Sequence, residues 1–443
     1  MNDNVSAIST AIGPAGVAVI RISGNSPLSV AEKMFKPLSK VAVKDFVPNF
    51  IYVGEIDCDS FTDFGMCVYF KAPKSFTGED VVEFHCHGGI AIARGVLDKT
   101  LRSGARLATK GEFTKRAFIN GKLSLASAEG LIDMINSETE ASVRAGFYLY
   151  REKLTKEVER LQALLLDALS ELNADMDFPE EDVAEFSYNS TKIALNSVLE
   201  GVEKLLQTFK AGRVVKNGVK VGIIGKPNTG KSSLLNALLN DEKAIVSDIA
   251  GTTRDIVEGS LDINGIRFNF SDTAGIRESN DKIEEIGVKL SRRIVDSSDV
   301  LVFVADGQEF SKEDEEIYDS IKDKKVIFVQ NKIDLAGVKL ENANVLVSAL
   351  KREGIEKLKS QLYQVAIDGV DLDGDFICEE RHREALSVAL EKVLTALKEM
   401  GGKPSELIAI DVKEAWDALG EITGVTANEE IINNIFSKFC VGK

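Results

Sequence analysis

The chain is organised around the stretch Gly225-Lys226-Pro227-Asn228-Thr229-Gly230-Lys231-Ser232. The apolar run Val219 to Ile224 precedes this stretch, and the apolar-faced run Ser233 to Leu239 follows it. A buried strand that ends at glycine and continues as a helix is the context that a phosphate-binding loop requires. Its glycines let backbone N–H groups turn toward phosphate oxygens, and the helix N-terminus adds its positive end. The pattern predicts a nucleotide site in which Lys231 reaches the outer phosphates and Ser232 ligates Mg²⁺.

Residues 218–372 alternate between strand and helix patterns. The dipeptide Asn264-Gly265 predicts a hairpin between strands at residues 255–261 and 266–271. Further apolar runs predict strands at residues 300–305, 325–330 and 345–347. The alternation predicts a doubly wound, mainly parallel sheet, which binds ligands at the carboxyl ends of its strands.

Short polar motifs follow these predicted strands. In Asp272-Thr273-Ala274-Gly275, which closes the hairpin, Asp272 suits a water-mediated contact to Mg²⁺ and the Gly275 amide suits the terminal phosphate. Thr253, in the loop before the hairpin, is placed to complete Mg²⁺ coordination with Ser232. The motifs therefore predict that the strand ends surround a nucleoside triphosphate and its metal ion.

The base is predicted from Asn331-Lys332-Ile333-Asp334, which follows the strand at residues 325–330. The Asp334 carboxylate can accept two hydrogen bonds from guanine N–H groups, and adenine offers neither in that arrangement. Ser348-Ala349, after the next strand, supplies a backbone contact to the guanine oxygen. GTP is therefore predicted over ATP. The expected contacts are Asn228, Thr229, Gly230, Lys231, Ser232, Ser233, Ser247, Asp248, Ile249, Ala250, Gly251, Thr252, Thr253, Asp272, Thr273, Ala274, Gly275, Asn331, Lys332, Asp334, Ser348, Ala349 and Leu350.

The residue that orients the attacking water is less obvious. Ras-like switches carry a glutamine after the last glycine of the hairpin motif, and here that position is Ile276. Either hydrolysis is slow, or another polar group substitutes. Glu284 is a candidate substitute, and so is a cation that does the work of an arginine finger. The other interpretation of Glu284 is a solvated helix face. The predicted catalytic residues are Glu284, Lys231 and Thr253.

Helical sequence lies on both sides of the nucleotide region. An apolar stripe recurs at steps of three and four residues and is formed by Leu154, Val158, Leu161, Leu165, Ala168 and Leu172. The stripe predicts a long amphipathic helix that serves as bundle core rather than as a docking face. The run Thr426 to Glu429 predicts a capping box for a last helix. We therefore predict a split helical domain, residues 120–217 and 373–443, with a Ras-like GTPase domain, residues 218–372, inserted into it.

The mixture of short strand and helix patterns in residues 1–119 predicts a separate α+β domain. Short strands are expected within this region at residues 17–20 and 66–70, and helices at residues 28–34 and 90–102. The fold class is thus multidomain α/β plus all-α.

Composition limits the function classes. Of the 443 residues, 70 are acidic and 54 are basic, which gives a net charge of −16. Because electrostatic binding of nucleic acid relies on lysine and arginine, DNA binding of that kind is not expected. An RNA substrate would then need a local basic patch or a partner protein, and the alternative is that the acidity only maintains solubility.

Cysteine and histidine usage indicates the compartment. The five cysteines are scattered without a C-x-x-C pair, which indicates a reducing environment. No apolar run has membrane-spanning length and no signal-peptide pattern is visible, so a cytoplasmic protein without a transmembrane segment is expected. In a strand, the histidines of His85-Cys86-His87 share one face and Cys86 points the other way, which disfavours a metal site.

The motifs together resemble the MnmE (TrmE) family of tRNA modification GTPases, and the likeness extends over the full chain. The residues that carry it are Gly251-Thr252-Thr253-Arg254-Asp255, Asp272-Thr273-Ala274-Gly275-Ile276-Arg277, Ile20-Arg21-Ile22-Ser23-Gly24, Phe76-Thr77-Gly78-Glu79-Asp80, Gly111-Glu112-Phe113, Asn120-Gly121-Lys122-Leu123 and Phe439-Cys440-Val441-Gly442-Lys443.

The resemblance implies cofactors and an assembly. It implies that the N-terminal domain forms a homodimer and binds a tetrahydrofolate derivative, 5,10-methylene- or 5-formyl-tetrahydrofolate, through Arg21, Glu83, Lys122 and Lys443. It also implies that potassium activates the GTPase, with Glu284 orienting the water. The implied potassium ligands are Asn228, Ser247, Ile249 and Thr252.

The resemblance further implies a partner and a substrate. Members work with the FAD-dependent protein MnmG (GidA) to place an aminomethyl or carboxymethylaminomethyl group on carbon five of the wobble uridine of certain tRNAs. The sequence alone makes Cys440 either a small buried hydrophobe or a reactive thiol, and burial is favoured. The resemblance adds a place near the folate and leaves a chemical role open.

Two rival functions remain. One is a GTP-dependent ribosome-assembly switch without modification chemistry, which predicts a basic RNA-binding appendage that the sequence does not show. The other is a folate-dependent transferase with a vestigial GTPase, which the complete set of GTPase motifs disfavours.

Overall fold

The computed structural model describes residues 3–177, 184–239, 244–245, 259–272, 294–306, 310–335, 339–368 and 376–443. The chain divides into two compact units. Unit 1 comprises Met1–Ile132, Leu149–Leu199 and Val388–Lys443, and unit 2 comprises Asp133–Tyr148 and Glu200–Ser387.

A mixed sheet forms the N-terminal part of unit 1. Its strands are β1 (Val5–Ile8), β2 (Ala15–Gly24), β3 (Phe35–Pro37), β4 (Ile51–Asp57), β5 (Thr62–Phe70), β6 (Asp80–Gly88) and β7 (Arg106–Leu107). Within the described residues the order is β3-β4-β5-β6-β2-β1-β7, and β1 pairs with β7 in parallel whereas the other neighbours are antiparallel. The predicted strands at residues 17–20 and 66–70 are confirmed as parts of β2 and β5.

The two faces of this sheet differ because side chains alternate along each strand. One face is apolar, with Ile20, Val82 and Phe84 buried in a core that the helix Ile90–Arg102 helps to cover. This helix has the predicted bounds, whereas the helix predicted at residues 28–34 is the shorter Pro27–Ala31. The opposite face carries charged residues of β2 and β6.

The predicted apolar stripe is confirmed as bundle core. It lies on the helix Lys153–Asp177, and all six of its residues are buried. This helix packs against Ser405–Thr423, where Gln162 donates a hydrogen bond to the Trp416 carbonyl at 3.0 Å. The other helices outside the nucleotide region are the 3-10 turn Val43–Asp45, Glu112–Ile119, Leu125–Asn136, Glu140–Tyr150, Ala184–Asn217, Glu380–Glu399 and Glu429–Ser437.

The capping box predicted at Thr426 is wrong. Asn428 caps the last helix, because its side chain accepts a hydrogen bond from the Ile431 amide at 2.9 Å. Thr426 instead donates its hydroxyl to the Asp417 carbonyl at 2.6 Å. Threonine and asparagine both suit a cap, so the pattern misplaced the helix start by two positions.

A second sheet lies in unit 2, with strands β8 (Val219–Ile224), β9 (Ala244–Ile245), β10 (Gly259–Ile263), β11 (Ile266–Asp272), β12 (Val300–Ala305), β13 (Val326–Gln330) and β14 (Val345–Leu346). Within the described part of the chain the order is β14-β13-β12-β8-β11-β10-β9. The strands β8, β11, β12, β13 and β14 pair in parallel, and β10 and β11 form the predicted antiparallel hairpin around Asn264-Gly265. The carboxyl ends of the parallel strands therefore meet at one edge.

Helices cover both faces of this sheet. Lys231–Leu239 and Ile355–Ile367 bury apolar residues against one face, and Lys312–Asp319 lies on the side of Phe303 and Phe328. This arrangement, with the N-terminal sheet and the helices of unit 1, confirms the predicted multidomain α/β plus all-α class.

Candidate functional site: a phosphate loop and guanine motif, with a second polar site in unit 1

The phosphate loop connects β8 to the helix that begins at Lys231. Gly225 has φ 153°, and a Cβ added there would lie 2.2 Å from the Val304 carbonyl oxygen. Gly230 has φ 90°, and a Cβ there would lie 2.4 Å from Nδ2 of Asn331. Both approaches are closer than any side chain permits, so the loop requires glycine at these two positions.

Lys231 lies across the loop. Its Nζ donates hydrogen bonds to the carbonyls of Gly225 at 2.9 Å and of Lys226 at 2.7 Å. The side chain is buried although it carries a charge, which is rare unless the charge is compensated. Ser232 and Ser233 follow in the first turn of the same helix. The loop thus places one cation and two hydroxyls beside a helix N-terminus, where anions bind.

Asn331 joins this loop to the predicted base-recognition loop. Its Nδ2 donates to the Thr229 carbonyl at 3.0 Å, and its Oδ1 accepts from the Ala349 amide at 3.1 Å. Its own amide donates to the Ala305 carbonyl at 2.7 Å. A single buried asparagine therefore bonds the loop after β8, the last residue of β12 and the loop after β14.

Lys332 and Asp334 have separate contacts. Lys332, with φ 59°, donates from Nζ to the Asn228 carbonyl at 2.6 Å. Asp334 accepts a hydrogen bond from the Ser348 hydroxyl at 2.6 Å, and this bond lowers the pKa of its carboxyl group. The carboxylate is thus kept charged and oriented, as an acceptor for base N–H groups must be. Leu350, a further predicted contact, has an exposed side chain.

The remaining predicted nucleotide contacts are only partly described. Asp272 ends β11, with its backbone paired to Ile223 of β8. The other predicted residues lie outside the described residues, namely Ser247, Asp248, Ile249, Ala250, Gly251, Thr252, Thr253, Thr273, Ala274, Gly275 and Glu284. Their assignments stay predictions.

A second polar cluster lies in unit 1, on the charged face of the N-terminal sheet. Arg21 and Glu83 are register partners of β2 and β6, and Arg21 Nε lies 2.8 Å from Glu83 Oε1. The Arg21 guanidinium also lies 5.2 Å from the centre of the Phe76 ring and 5.6 Å from that of Phe113. The paired charges therefore lie beside two aromatic rings.

Glu83 is ionised despite its position. Burial opposes its ionisation, but the hydrogen bond from His85 and the charge of Arg21 outweigh burial and lower the pKa of Glu83. His85 Nε2 lies 3.3 Å from Glu83 Oε2. His87 instead lies 2.7 Å from Asp63, and Cys86 is buried on the opposite face, as the strand alternation predicts. Within the described residues, no three His, Cys, Asp or Glu side chains form a metal-type cluster.

The C-terminal segment closes onto the same cluster. The Phe113 amide donates to the Lys443 carbonyl at 3.2 Å, and Gly442 has φ 103° beside the backbone of Ile8. Lys122 Nζ donates to the Pro73 carbonyl at 3.1 Å. Of the four predicted folate contacts, the structure thus brings Arg21 and Glu83 together. The Lys443 backbone bonds the amide of Phe113, and the Lys122 side chain bonds the loop at Pro73.

The prediction that Cys440 is buried is wrong. Lys110 and Val441 form an antiparallel bridge, and in this extended segment Phe439 faces inward while Cys440 is exposed. Burial here depends on a strand-like pairing with a remote residue, and the local sequence did not show that pairing. The other four cysteines are buried and unpaired.

The buried Arg116 was missed at the sequence level. Its guanidinium contacts Glu112 at 2.9 Å, Glu79 at 3.0 Å and Asp3 at 2.8 Å, and its side chain is only 1% exposed. These contacts fix the loop before β6 to the start of the helix Glu112–Ile119, and so position Phe76 and Phe113 around Arg21. The available signal was the pair of charged clusters around Glu79 and Glu112.

Comparisons with known proteins identify the family. A family model described as the GTP-binding protein TrmE N-terminus matches residues 4–122, and one described as the MnmE helical domain matches residues 125–440. The chain belongs to the MnmE family of tRNA modification GTPases.

Curated MnmE relatives align with the whole chain. The tRNA modification GTPase MnmE of Desulforamulus reducens is 39% identical over 460 residues, and that of Finegoldia magna is 39% identical over 454 residues. In both cases the alignment covers 100% of each chain. The predicted family is therefore confirmed, and the phosphate loop belongs to a GTP-binding GTPase.

Two solved structures are also similar to parts of the chain. One is Aquifex aeolicus Era bound to GDP.AlF4-, at 32% identity and TM-score 0.28 over 39% of this chain and 66% of that chain. The other is the G domain of T. maritima FeoB, at 29% identity and TM-score 0.27 over 33% of this chain and 98% of that chain. No helix among the described residues is long and apolar enough to cross a membrane.

Proposed function

We propose that this MnmE-family protein is a potassium-activated, cytoplasmic GTPase that acts with the FAD-dependent partner MnmG. The product is an aminomethyl or carboxymethylaminomethyl group on carbon five of the wobble uridine of certain tRNAs. The observation that carries the proposal is the alignment of the whole chain with curated tRNA modification GTPases. The phosphate loop and the cluster around Arg21 support its GTP-dependent and folate-dependent halves.

Nucleotide binding is proposed at the strand ends of unit 2. Lys231 would hold the outer phosphates, and Asp334 would accept hydrogen bonds from guanine. The hydroxyl of Ser232, with that of Thr253, would ligate Mg²⁺, which prefers oxygen ligands. The described donors fit this assignment because Lys231 already bonds the loop carbonyls and Ser348 already orients Asp334.

Potassium is proposed at Asn228, Ser247, Ile249 and Thr252. Asn228 fits such a role because it is exposed, has φ 64°, and has its carbonyl held by Lys332. An amide side chain offers the oxygen that hard cations prefer. A bound monovalent cation would neutralise charge that develops on the phosphates, where this chain has Ile276 instead of the water-orienting glutamine.

The potassium proposal is tested by the rate of GTP hydrolysis in potassium against sodium at equal ionic strength. We expect faster turnover in potassium, and equal rates in both salts would refute the proposal.

Glu284→Ala is expected to keep GTP affinity and to lose turnover, because Glu284 is proposed to orient water and not to bind the nucleotide. Unchanged turnover would remove Glu284 from the site.

The folate derivative is proposed at Arg21, Glu83, Lys122 and Lys443, as 5,10-methylene- or 5-formyl-tetrahydrofolate. Folates carry carboxylates, which suit cations, and ring N–H groups, which suit a carboxylate such as Glu83. The ionised Glu83 and the rings of Phe76 and Phe113 beside Arg21 fit a flat, polar-edged ligand. Isothermal titration of the full chain with 5-formyl-tetrahydrofolate tests this, and Arg21→Gln is expected to abolish binding while GDP binding stays unchanged.

A homodimer through the N-terminal domain is supported by an exposed apolar strip. Ile51 and Val53 of β4 and Phe64 of β5 are 60%, 43% and 50% exposed. Exposed apolar residues that lie together on paired strands mark interaction surfaces. Light scattering of the full chain is expected to give a dimer, and Phe64→Asp is expected to give a monomer. A parent monomer would contradict this assignment.

The tRNA product is tested by nucleoside analysis of tRNA from cells that lack the protein. Loss of the modified wobble uridine supports the proposal, and a normal nucleoside profile with defective ribosomes supports the ribosome-assembly switch.

Exposure of Cys440 near the C-terminus leaves it accessible for a chemical role in the reaction. Restoration of the nucleoside by a Cys440→Ser variant would exclude that role.

A further inference from the structure

Lys226, the second residue of the phosphate loop, is bonded to the start of the helix Lys312–Asp319, which follows β12 in the chain. Its Nζ lies 2.6 Å from Asp314 Oδ2 and 2.8 Å from Ser311 Oγ. Ser311 caps the helix Lys312–Asp319, and its amide and hydroxyl also bond Asp314 Oδ2, at 3.1 and 2.8 Å. The lysine therefore ends on a preformed capping box.

Asp314 depends on this lysine for charge compensation. The residue is 1% exposed, and among the described residues its Oδ1 has no hydrogen-bond partner. A buried carboxylate without an opposite charge is strongly unfavourable. The hydrogen bond that Lys226 donates to Asp314 in turn raises the pKa of Lys226, so the lysine stays charged at neutral pH.

The backbone of Lys226 contacts the residue that binds phosphate. Its carbonyl accepts hydrogen bonds from Lys231 Nζ at 2.7 Å and from the Thr229 hydroxyl at 3.0 Å. Fixing the Lys226 side chain on Asp314 thus fixes the carbonyl that orients Lys231. A continuous series of contacts runs from the helix Lys312–Asp319 to the phosphate-binding ammonium.

We propose that Lys226 and Asp314 are positioning residues for nucleotide binding, which hold the phosphate loop in its binding conformation through a buried ion pair. Within the part of the chain that the structure describes, the side chains of the pair contact neither Asn331 nor Asp334, nor Asn228, the proposed potassium ligand that lies in that part. Its effect is therefore expected on affinity for phosphates, whereas a change at Asn331, which bonds both loops, would disturb base recognition as well.

The experiment measures binding of fluorescent GDP and a non-hydrolysable GTP analogue to the full-length variants Lys226→Met, Asp314→Asn and the double variant, in sodium buffer. We expect each single variant to bind both nucleotides about tenfold more weakly, the size of one lost charge-assisted hydrogen bond. The double variant is expected to bind no more weakly than the weaker single variant, because both changes remove the same interaction. Steady-state assays in potassium are expected to show a raised KM with unchanged kcat and an unchanged preference for GTP over inosine triphosphate.

Two further variants separate positioning from general stability. Lys226→Arg keeps a charged donor and is expected to bind within about threefold of the parent. Lys322→Met removes an exposed ion pair with Asp319, the last residue of the helix that carries Asp314. This variant is expected to bind both nucleotides with the affinity of the parent. All affinities are measured at a temperature where circular dichroism shows every variant folded. The proposal would be overturned if Lys226→Met bound nucleotide as tightly as the parent, or if the losses of affinity added in the double variant. It would also be overturned if Lys226→Arg bound as weakly as Lys226→Met, or if Lys322→Met lost affinity equally.

Discussion

Replacing Asp133 with asparagine is expected to remove a pH-dependent component of stability from unit 2. Asp133 Oδ1 lies 2.7 Å from Lys216 Nζ, and the same ammonium contacts Glu379. One lysine therefore serves two carboxylates. Burial, and next the charge of Glu379, raise the pKa of Asp133 from 3.8 to about 7, and Lys216 offsets only part of the shift.

The sign of the effect follows from proton binding. Between pH 4 and pH 7 the folded protein retains a proton on Asp133 that the unfolded chain has released, so the free energy of unfolding falls as pH rises through this window. One pKa unit corresponds to about 1.4 kcal/mol, so raising the pKa from 3.8 to about 7 makes the component on the order of a few kcal/mol at most. Asparagine does not titrate, and the component is absent from the variant.

Calorimetry at intervals from pH 5 to pH 8 measures the difference between parent and Asp133→Asn. The transition to follow is the one whose midpoint temperature increases when GDP is added. GDP is expected to stabilise unit 2, because the phosphate loop lies in that unit. We expect the variant to gain stability relative to the parent as pH rises to about 7, and to show a constant difference above it. Asp319→Asn, at an exposed ion pair, is the control and should show no such trend. A parent–variant difference that is independent of pH would refute the assignment.

Three further substitutions test other parts of the structure. Asp334→Asn replaces the proposed acceptor of guanine N–H groups by an amide that can donate, and the ratio of kcat/KM for xanthosine triphosphate over GTP is expected to rise by about a hundredfold or more. Gly225→Ala places a Cβ 2.2 Å from the Val304 carbonyl, so calorimetry should show a loss of about 2 kcal/mol or more together with weaker GDP binding. Arg116→Met removes the buried cation that pairs with Glu79, while Glu112 and Asp3 keep Arg106, and is expected to cost about 3 kcal/mol in the free energy of unfolding, against less than about 1 kcal/mol for Arg160→Met at an exposed pair.

The fold of the nucleotide region could be predicted because its signals are local. An apolar run, a glycine-rich turn and an apolar-faced helix are contiguous in sequence at Val219 to Leu239, and Asn264-Gly265 marks the hairpin without reference to any distant residue. Parallel strands then bring their carboxyl ends to one edge, so residues far apart in sequence are expected to lie together.

The pairs that support the sites could not be predicted for the opposite reason. Lys226 meets Asp314, and Arg116 meets Asp3 and Glu79, only after the sheets have formed. Arginine and aspartate are usually exposed, so an isolated charge in the sequence indicates a solvated surface unless its partner is known. The exposure of Cys440 could not be predicted for the same reason, because it depends on the bridge between Val441 and the remote residue Lys110.

The contacts of Asn331 imply that base recognition and phosphate binding are not independent in this GTPase. Asn331 bonds both the Thr229 carbonyl of the phosphate loop and the Ala349 amide of the base-recognition loop, whereas Asp334 bonds only Ser348 among the described contacts of its side chain. A change at Asp334 should therefore alter which base is bound and leave the phosphate loop intact. A change at Asn331 should disturb both loops, because each would lose the hydrogen bond that fixes its distance from the other. The asparagine of the base motif is thus a structural link between two sites, although it stands in the sequence as part of one.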